Sequence, residues 1–102
     1  MTRLPPVHPG EILQTELLQP YGISVSQLAR AIGASPTRLR HVVAGQAPVT
    51  AELALRLGRY FGLTPRFWQT LQLRYDLSVA ADAMQDQIDR EVTPFVSGPE
   101  GW

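Results

Sequence analysis

Four times along this chain a helix-stopping glycine is followed within a few residues by a polar helix cap: Gly22 then Ser24, Gly33 then Ser35, Gly45 then Thr50, and Gly62 then Thr64. Glycine takes up the left-handed conformation that closes a helix without steric cost, and Ser and Thr accept a hydrogen bond from a first-turn N–H. Punctuation at this interval cuts the chain into short helices. Helices of two or three turns are marginal alone in water, so they must pack on one another through their apolar stripes.

Between these marks the apolar spacing is helical. A first helix opens at Pro9, carries Glu11 in its positive first turn and buries Ile12, Leu13 and Leu17, with Pro20 and Gly22 expected to stop it. Ser24 with Gln27 three residues on forms a capping box for a second helix burying Leu28, Ala29 and Ile32. Ser35 and Pro36 start a third, with Leu39, Val42 and Val43 inward, running to about Ala44. Thr50 caps a fourth, with Leu53, Leu55, Leu57, Tyr60 and Phe61, and Thr64–Pro65 starts a fifth that stays helical past Leu77 and toward Ile88 before Pro94. No run of alternating β-branched residues marks a strand, so the fold class expected is all-α. With 102 residues the chain is expected to be one domain. It divides into an N-terminal arm (1–8), a core (9–77) and an acidic C-terminal segment and tail (78–102), frayed after Phe95.

Composition excludes several functions. There is no cysteine, hence no disulfide scaffold, thiol chemistry or thiolate-held zinc. The only histidines, His8 and His41, stand on different elements without a HExxH-type partner, so no metal, cofactor or catalytic centre is expected and HPGE reads as a helix start. No apolar run suits a membrane span and the N-terminus lacks a signal-peptide core, which points to a soluble chain in the cytoplasm.

The zero net charge hides an asymmetry. Residues 1–75 carry eight arginines against Glu11, Glu16 and Glu52, a surplus of five positive charges. Residues 76–102 carry Arg90 against Asp76, Asp82, Asp86, Asp89, Glu91 and Glu100, a surplus of five negative ones. A basic binding surface followed by an acidic segment is implied.

The window Val25–Ala44 meets the demands of a helix-turn-helix. Two short helices crossing steeply need a small residue at the crossing and a turn residue that tolerates positive φ. Ala29 and Gly33 supply them, while Leu28, Ile32, Leu39 and Val42 hold the buried positions. An ordinary αα-hairpin satisfies the same pattern, so the window alone leaves both open.

A longer correspondence narrows the choice. HPGEIL (8–13), GIS (22–24), LARAIGAS (28–35), RLRHVVAG (38–45), VT (49–50), ALRLGRYFG (54–62), FWQTLQLRYDL (67–77) and the closing IDREVTP together resemble the HigA family of antitoxins, within the Xre or lambda-repressor-like class. The resemblance spans roughly residues 8–94. It implies a five-helix DNA-binding fold, a homodimer, binding to double-stranded operator DNA of its own operon, and a partner toxin of the HigB type, a RelE-like mRNA-cleaving protein. A stand-alone Xre-type repressor with no toxin partner is the alternative.

In such a fold the third helix enters the major groove and its exposed side chains meet base edges. Thr37, Arg38 and His41 are the expected base readers, with Ser35 and Arg40 on base or phosphate. Positions 36, 37 and 41 match the base-reading positions of lambda-repressor-like proteins, but Pro36 has no hydrogen-bonding group to offer. Ser24, Ser26 and Gln27 at one helix start and Thr50 at another are expected on phosphates. Many relatives carry Lys or Arg after the third helix, where this chain has Gln46-Ala47, a departure that weakens the loop's attraction for the backbone. Dimerisation is expected through Phe67, Trp68, Leu71 and Tyr75. The acidic run Asp76–Glu91 suits a basic toxin, or is a solvated face; the arm Met1–Val7 is a second candidate contact.

Overall fold

The computed structural model describes residues 5–96, and within them the chain forms five helices and no strand. Helix α1 is continuous through three segments, Pro9–Ile12, Leu13–Leu18 and Gln19–Tyr21, the middle one wound as a π-helix. It is followed by α2 (Val25–Ile32), α3 (Pro36–Val43), α4 (Ala51–Phe61) and α5 (Pro65–Glu91). Each expected polar cap is in place. Ser24 and Gln27 form the reciprocal capping box, with Gln27 N–H donating to Ser24 Oγ at 3.0 Å and Ser24 N–H to Gln27 Oε1 at 2.8 Å.

Pro20 does not stop α1. A proline lacks the N–H of the i→i−4 ladder and its ring crowds the carbonyl four residues back. Here the preceding turn is already widened, with the Gln19 N–H donating to the Gln14 carbonyl five residues back. The wider turn absorbs the proline, and the stop falls to Gly22, which is left-handed at φ 65°.

The stripes of α1 to α4 meet in one core of Leu13, Leu18, Leu28, Ala29, Ile32, Leu39, Val42, Val49, Leu53, Ala54 and Leu57, closed by Trp68 from α5. Trp68 is the largest fully buried side chain, with no exposed surface. It belongs to the core and not to the outer face where a dimer contact was expected, because the first turns of α5 lie against α4. Phe67, one residue earlier, is 39% exposed, and Leu71 and Tyr75 are half-buried. Beyond Tyr75, α5 runs on past the core, which makes the molecule 59 Å long but only 27 by 23 Å across.

The backbones of α1 and α3 approach each other closely at Gly10. A Cβ placed on Gly10 would collide with the carbonyl oxygen of Val42, so only glycine fits there. Through this contact the start of α1 sets the position of α3.

Candidate nucleic-acid interface

The α2–turn–α3 unit is built from both ends. Gly33 takes φ 70°, and Ala34 N–H donates to the Ala29 carbonyl at 2.9 Å, while the Ala29 side chain is completely buried at the crossing. Arg56 braces the turn from α4. Its Nη1 donates to the Ile32 carbonyl at 2.8 Å, and its other guanidinium nitrogens bond Glu52 at 3.0 and 3.1 Å. The Glu52–Arg56 spacing is visible in the sequence as an i,i+4 pair, but its reach to Ile32, 24 residues away, is not.

Helix α3 buries Leu39 and Val42 and leaves Ser35, Pro36, Thr37, Arg38, Arg40, His41 and Ala44 exposed. The side chains expected to read bases therefore share one outer face. Ser35 Oγ accepts the Arg38 N–H at 3.3 Å, which fixes the first turn, and Arg40 Nη2 donates to Thr37 Oγ1 at 3.4 Å. The N-termini of α3 and α4 open on the same cleft of about 490 Å³, lined among others by Ser35, Arg38, Thr50, Glu52 and Arg56. Free first-turn N–H groups and the Arg38 guanidinium, with Arg56 already paired to Glu52, make this end of the molecule suited to anions.

The expected phosphate contacts Ser24, Ser26 and Gln27 are exposed at the start of α2, and Thr50 is half-buried at the start of α4. Ser24 and Thr50 already serve as caps, Thr50 Oγ1 accepting the Leu53 N–H at 3.2 Å. A hydroxyl that accepts a backbone N–H keeps its own proton to donate, so capping and anion contact are compatible.

Sequence reasoning missed the clamp behind α3. Both backbone groups of Val49 are held by glutamines of α5: its N–H donates to Gln72 Oε1 at 2.8 Å, and its carbonyl accepts from Gln69 Nε2 at 2.9 Å. Gln72 is buried and donates onward to Asp76 at 2.9 Å. His8 closes the same corner. Its Nδ1 accepts the Gly10 N–H at 2.9 Å as the cap of α1, its ring meets Tyr75 edge-on at 4.8 Å, and it bonds the backbone of Ala47. Burial holds the His8 imidazole below its ordinary pKa, against the opposing pull of Asp76 and the Ala47 bond. The neutral ring, with its proton on Nε2, is the form that can cap α1. No single residue signals these contacts, because a polar residue on a helix is ordinarily a surface one.

Among the described residues no group of three or more His, Cys, Asp or Glu could hold a metal ion, and no helix is long and apolar enough to cross a membrane. Arg3 of the arm and Glu100 of the tail lie outside the described residues.

Two short packed helices joined through a left-handed glycine, the outer one bearing arginines, define the class, and comparison with known proteins agrees: the Helix-turn-helix family model matches residues 15–68. Virulence-associated protein I of Dichelobacter nodosus is 45% identical over 82 residues, which cover 80% of this chain and 76% of that one. Antitoxin HigA-1 of Vibrio cholerae is 33% identical over 96 residues, covering 94% and 90%. Among solved structures, the Pseudomonas aeruginosa antitoxin HigA with the higBA promoter superposes with a TM-score of 0.86 at 42% identity, covering 88% of this chain and 98% of that one. The chain belongs to the HigA family of Xre-like helix-turn-helix proteins.

Proposed function

We propose that this chain is the antitoxin of a HigBA-type type II toxin–antitoxin system: as a homodimer it represses its own operon by sequence-specific binding to operator DNA, and it neutralises a RelE-like mRNA-cleaving toxin. The observation that carries the reading is the outer face of α3, where Thr37, Arg38 and His41 stand exposed on a helix whose start is capped and whose back is buried. The P. aeruginosa relative, solved with the higBA promoter, supports the reading that a chain of this fold binds operator DNA.

In this reading α3 lies in the major groove, Arg38 pairs bidentately with a guanine, and Thr37 and His41 meet neighbouring bases. Arg40 and Ser35 hold base or phosphate, and Ser24, Ser26, Gln27 and Thr50 hold the backbone. Two or three base readers per copy discriminate weakly, so a two-fold dimer on inverted half-sites about 34–36 Å apart is required. Phe67, Leu71 and Tyr75 flank the joint between the core and α5, and the acidic residues of α5 suit a basic toxin.

Arg38→Ala is expected to weaken binding to the upstream operator by roughly tenfold or more per half-site, from the ~1–3 kcal/mol of a bidentate base contact, with an unchanged melting temperature. A gel shift that does not move removes α3 from the interface. Co-expression with the adjacent gene and co-purification tests the toxin. No complex with a functional neighbouring toxin leaves the stand-alone repressor.

A further inference from the structure

The parts of the fold that meet at the C-terminal end of α3 share one buried side chain, His8. Its Nδ1 accepts the Gly10 N–H at 2.9 Å, and Gly10 is the residue that lies tight against the Val42 carbonyl of α3. The ring also packs on Gly45, the left-handed residue that follows α3, where a Cβ would stand 3.7 Å from His8 Cγ. It bonds the backbone of Ala47 in the α3–α4 loop and meets Tyr75 of α5 edge-on at 4.8 Å. One imidazole thus joins the start of α1, the end of α3, the loop beyond it and α5.

We propose that His8 is a positioning residue for operator binding: its neutral imidazole holds the C-terminal end of α3 where the helix reads DNA, and protonating the ring releases that end and weakens the complex. The inference rests on the DNA-binding reading of α3. It adds to that reading a side chain that touches no DNA and a dependence on pH.

The two ring nitrogens explain why the proton matters. A neutral imidazole offers one acceptor and one donor, and here Nδ1 accepts from Gly10 while the Nε2 proton serves the Ala47 backbone. Protonation makes both nitrogens donors. Nδ1–H then confronts the Gly10 N–H at a buried position, and the cap of α1 is lost. Because Gly10 and the Val42 carbonyl leave no spare room between them, the start of α1 cannot shift toward α3 without displacing it.

The charged and titratable groups facing the ring come from α5, as Asp76 and Tyr75. Gly45, Gln46, Ala47 and Pro48 of the loop bring none, Val42 and Val43 where α1 meets α3 bring none, and Glu11 of His8's own helix is exposed. Asp76 favours the charged ring, but burial opposes it more strongly, so the release falls on the acid side of the ordinary value of 6.5.

The first test follows operator affinity of the full-length chain by fluorescence anisotropy from about pH 8 to about pH 5 at constant ionic strength, with circular dichroism checking the fold at each point. Wild-type affinity is expected to be flat above pH 6.5 and to fall below it, approaching tenfold per pH unit, the limit for one linked proton. His8→Asn keeps a capping acceptor, loses the reach to Ala47 and does not titrate; it should bind several-fold more weakly at neutral pH and lack the fall. His41→Asn, on the face that meets DNA, should retain it. A flat wild-type profile, or a fall that survives in His8→Asn, overturns the inference.

A second measurement needs no DNA. The amides of Ala44, Gly45 and Gln46 bond back to Arg40, Val42 and His41, and their hydrogen-exchange protection reports whether the end of α3 is held. After correction for the intrinsic pH dependence of exchange, protection is expected to drop by about tenfold as the His8 ring is protonated, and to stay constant in His8→Asn. Constant protection in the wild type overturns the inference. A chain that binds no operator at any pH loses the proposed function, while exchange still decides whether His8 holds α3; one that binds equally at every pH keeps that function and loses only this role for His8.

Discussion

Helix α2 lasts 8 residues between a serine cap and a left-handed glycine; α5 lasts 27 and contains no glycine at all. The two differ in where their apolar faces go. The stripes of α2, α3 and α4 all point to one centre, and each helix ends where its contribution to that centre ends. Helix α5 serves the core only through its first turns and then continues by itself, supported by local pairs such as Gln85–Asp89 and Gln87–Glu91 at i,i+4 spacing. Beyond those turns Leu77, Met84 and Ile88 are exposed. Length in this molecule therefore marks a change of purpose: short helices finish a core, and the long one leaves it.

The junction between the two regions is where substitutions should act most strongly. The largest effect is expected for Gly10→Ala, which forces α1 away from the Val42 carbonyl and costs ~3 kcal/mol or more, read by urea denaturation. A stable protein with native operator affinity would show that α3 tolerates displacement. Gln72→Ala comes next, at ~1–3 kcal/mol, since it strips the partner from the buried Val49 N–H. If the clamp transmits from α5 to the α3–α4 loop, operator affinity falls as well, in a gel shift at a temperature where the variant is folded.

Thr50→Ala removes the cap of α4 and should lower stability by ~1 kcal/mol, measured by the same denaturation. An unchanged midpoint would mean that the Val49 clamp alone holds the start of α4.

The smallest effect concerns pH. His8 is held below its ordinary value of 6.5 in the folded chain by burial, so the unfolded chain takes up a proton first as pH falls. Its contribution to stability is complete above pH 6.5, declines below it, and levels off once pH passes under the folded value. Replacing His8 with Asn, which keeps a capping acceptor without titrating, should flatten this part of the stability–pH curve. A curve as steep as that of the wild type assigns the proton uptake to another group.

The caps, the turn glycine Gly33, the buried set Leu28, Ala29, Ile32, Leu39 and Val42, and the exposed face of α3 were all legible in the sequence. Each is a local property, set by backbone preference or by a periodicity of a few residues. Pro20 misled because its effect depends on the turn before it. Trp68 misled because aromatic bulk on a helix says nothing about which side faces the core. Arg56, Gln69, Gln72 and His8 were missed as positioning residues because their partners lie far along the chain, apart from the cap that His8 makes on Gly10.

By itself, then, the sequence determined where helices begin and end, which of their faces are apolar, and that basic and acidic charge are segregated along the chain. Such choices rest on interactions within one or two turns. The tertiary structure alone decided which polar side chains are buried as clamps, that α1 sets α3 through Gly10, and on which side of α5 the core ends. Those outcomes depend on how helices cross, and crossing is fixed by side chains meeting across distances that no local pattern records.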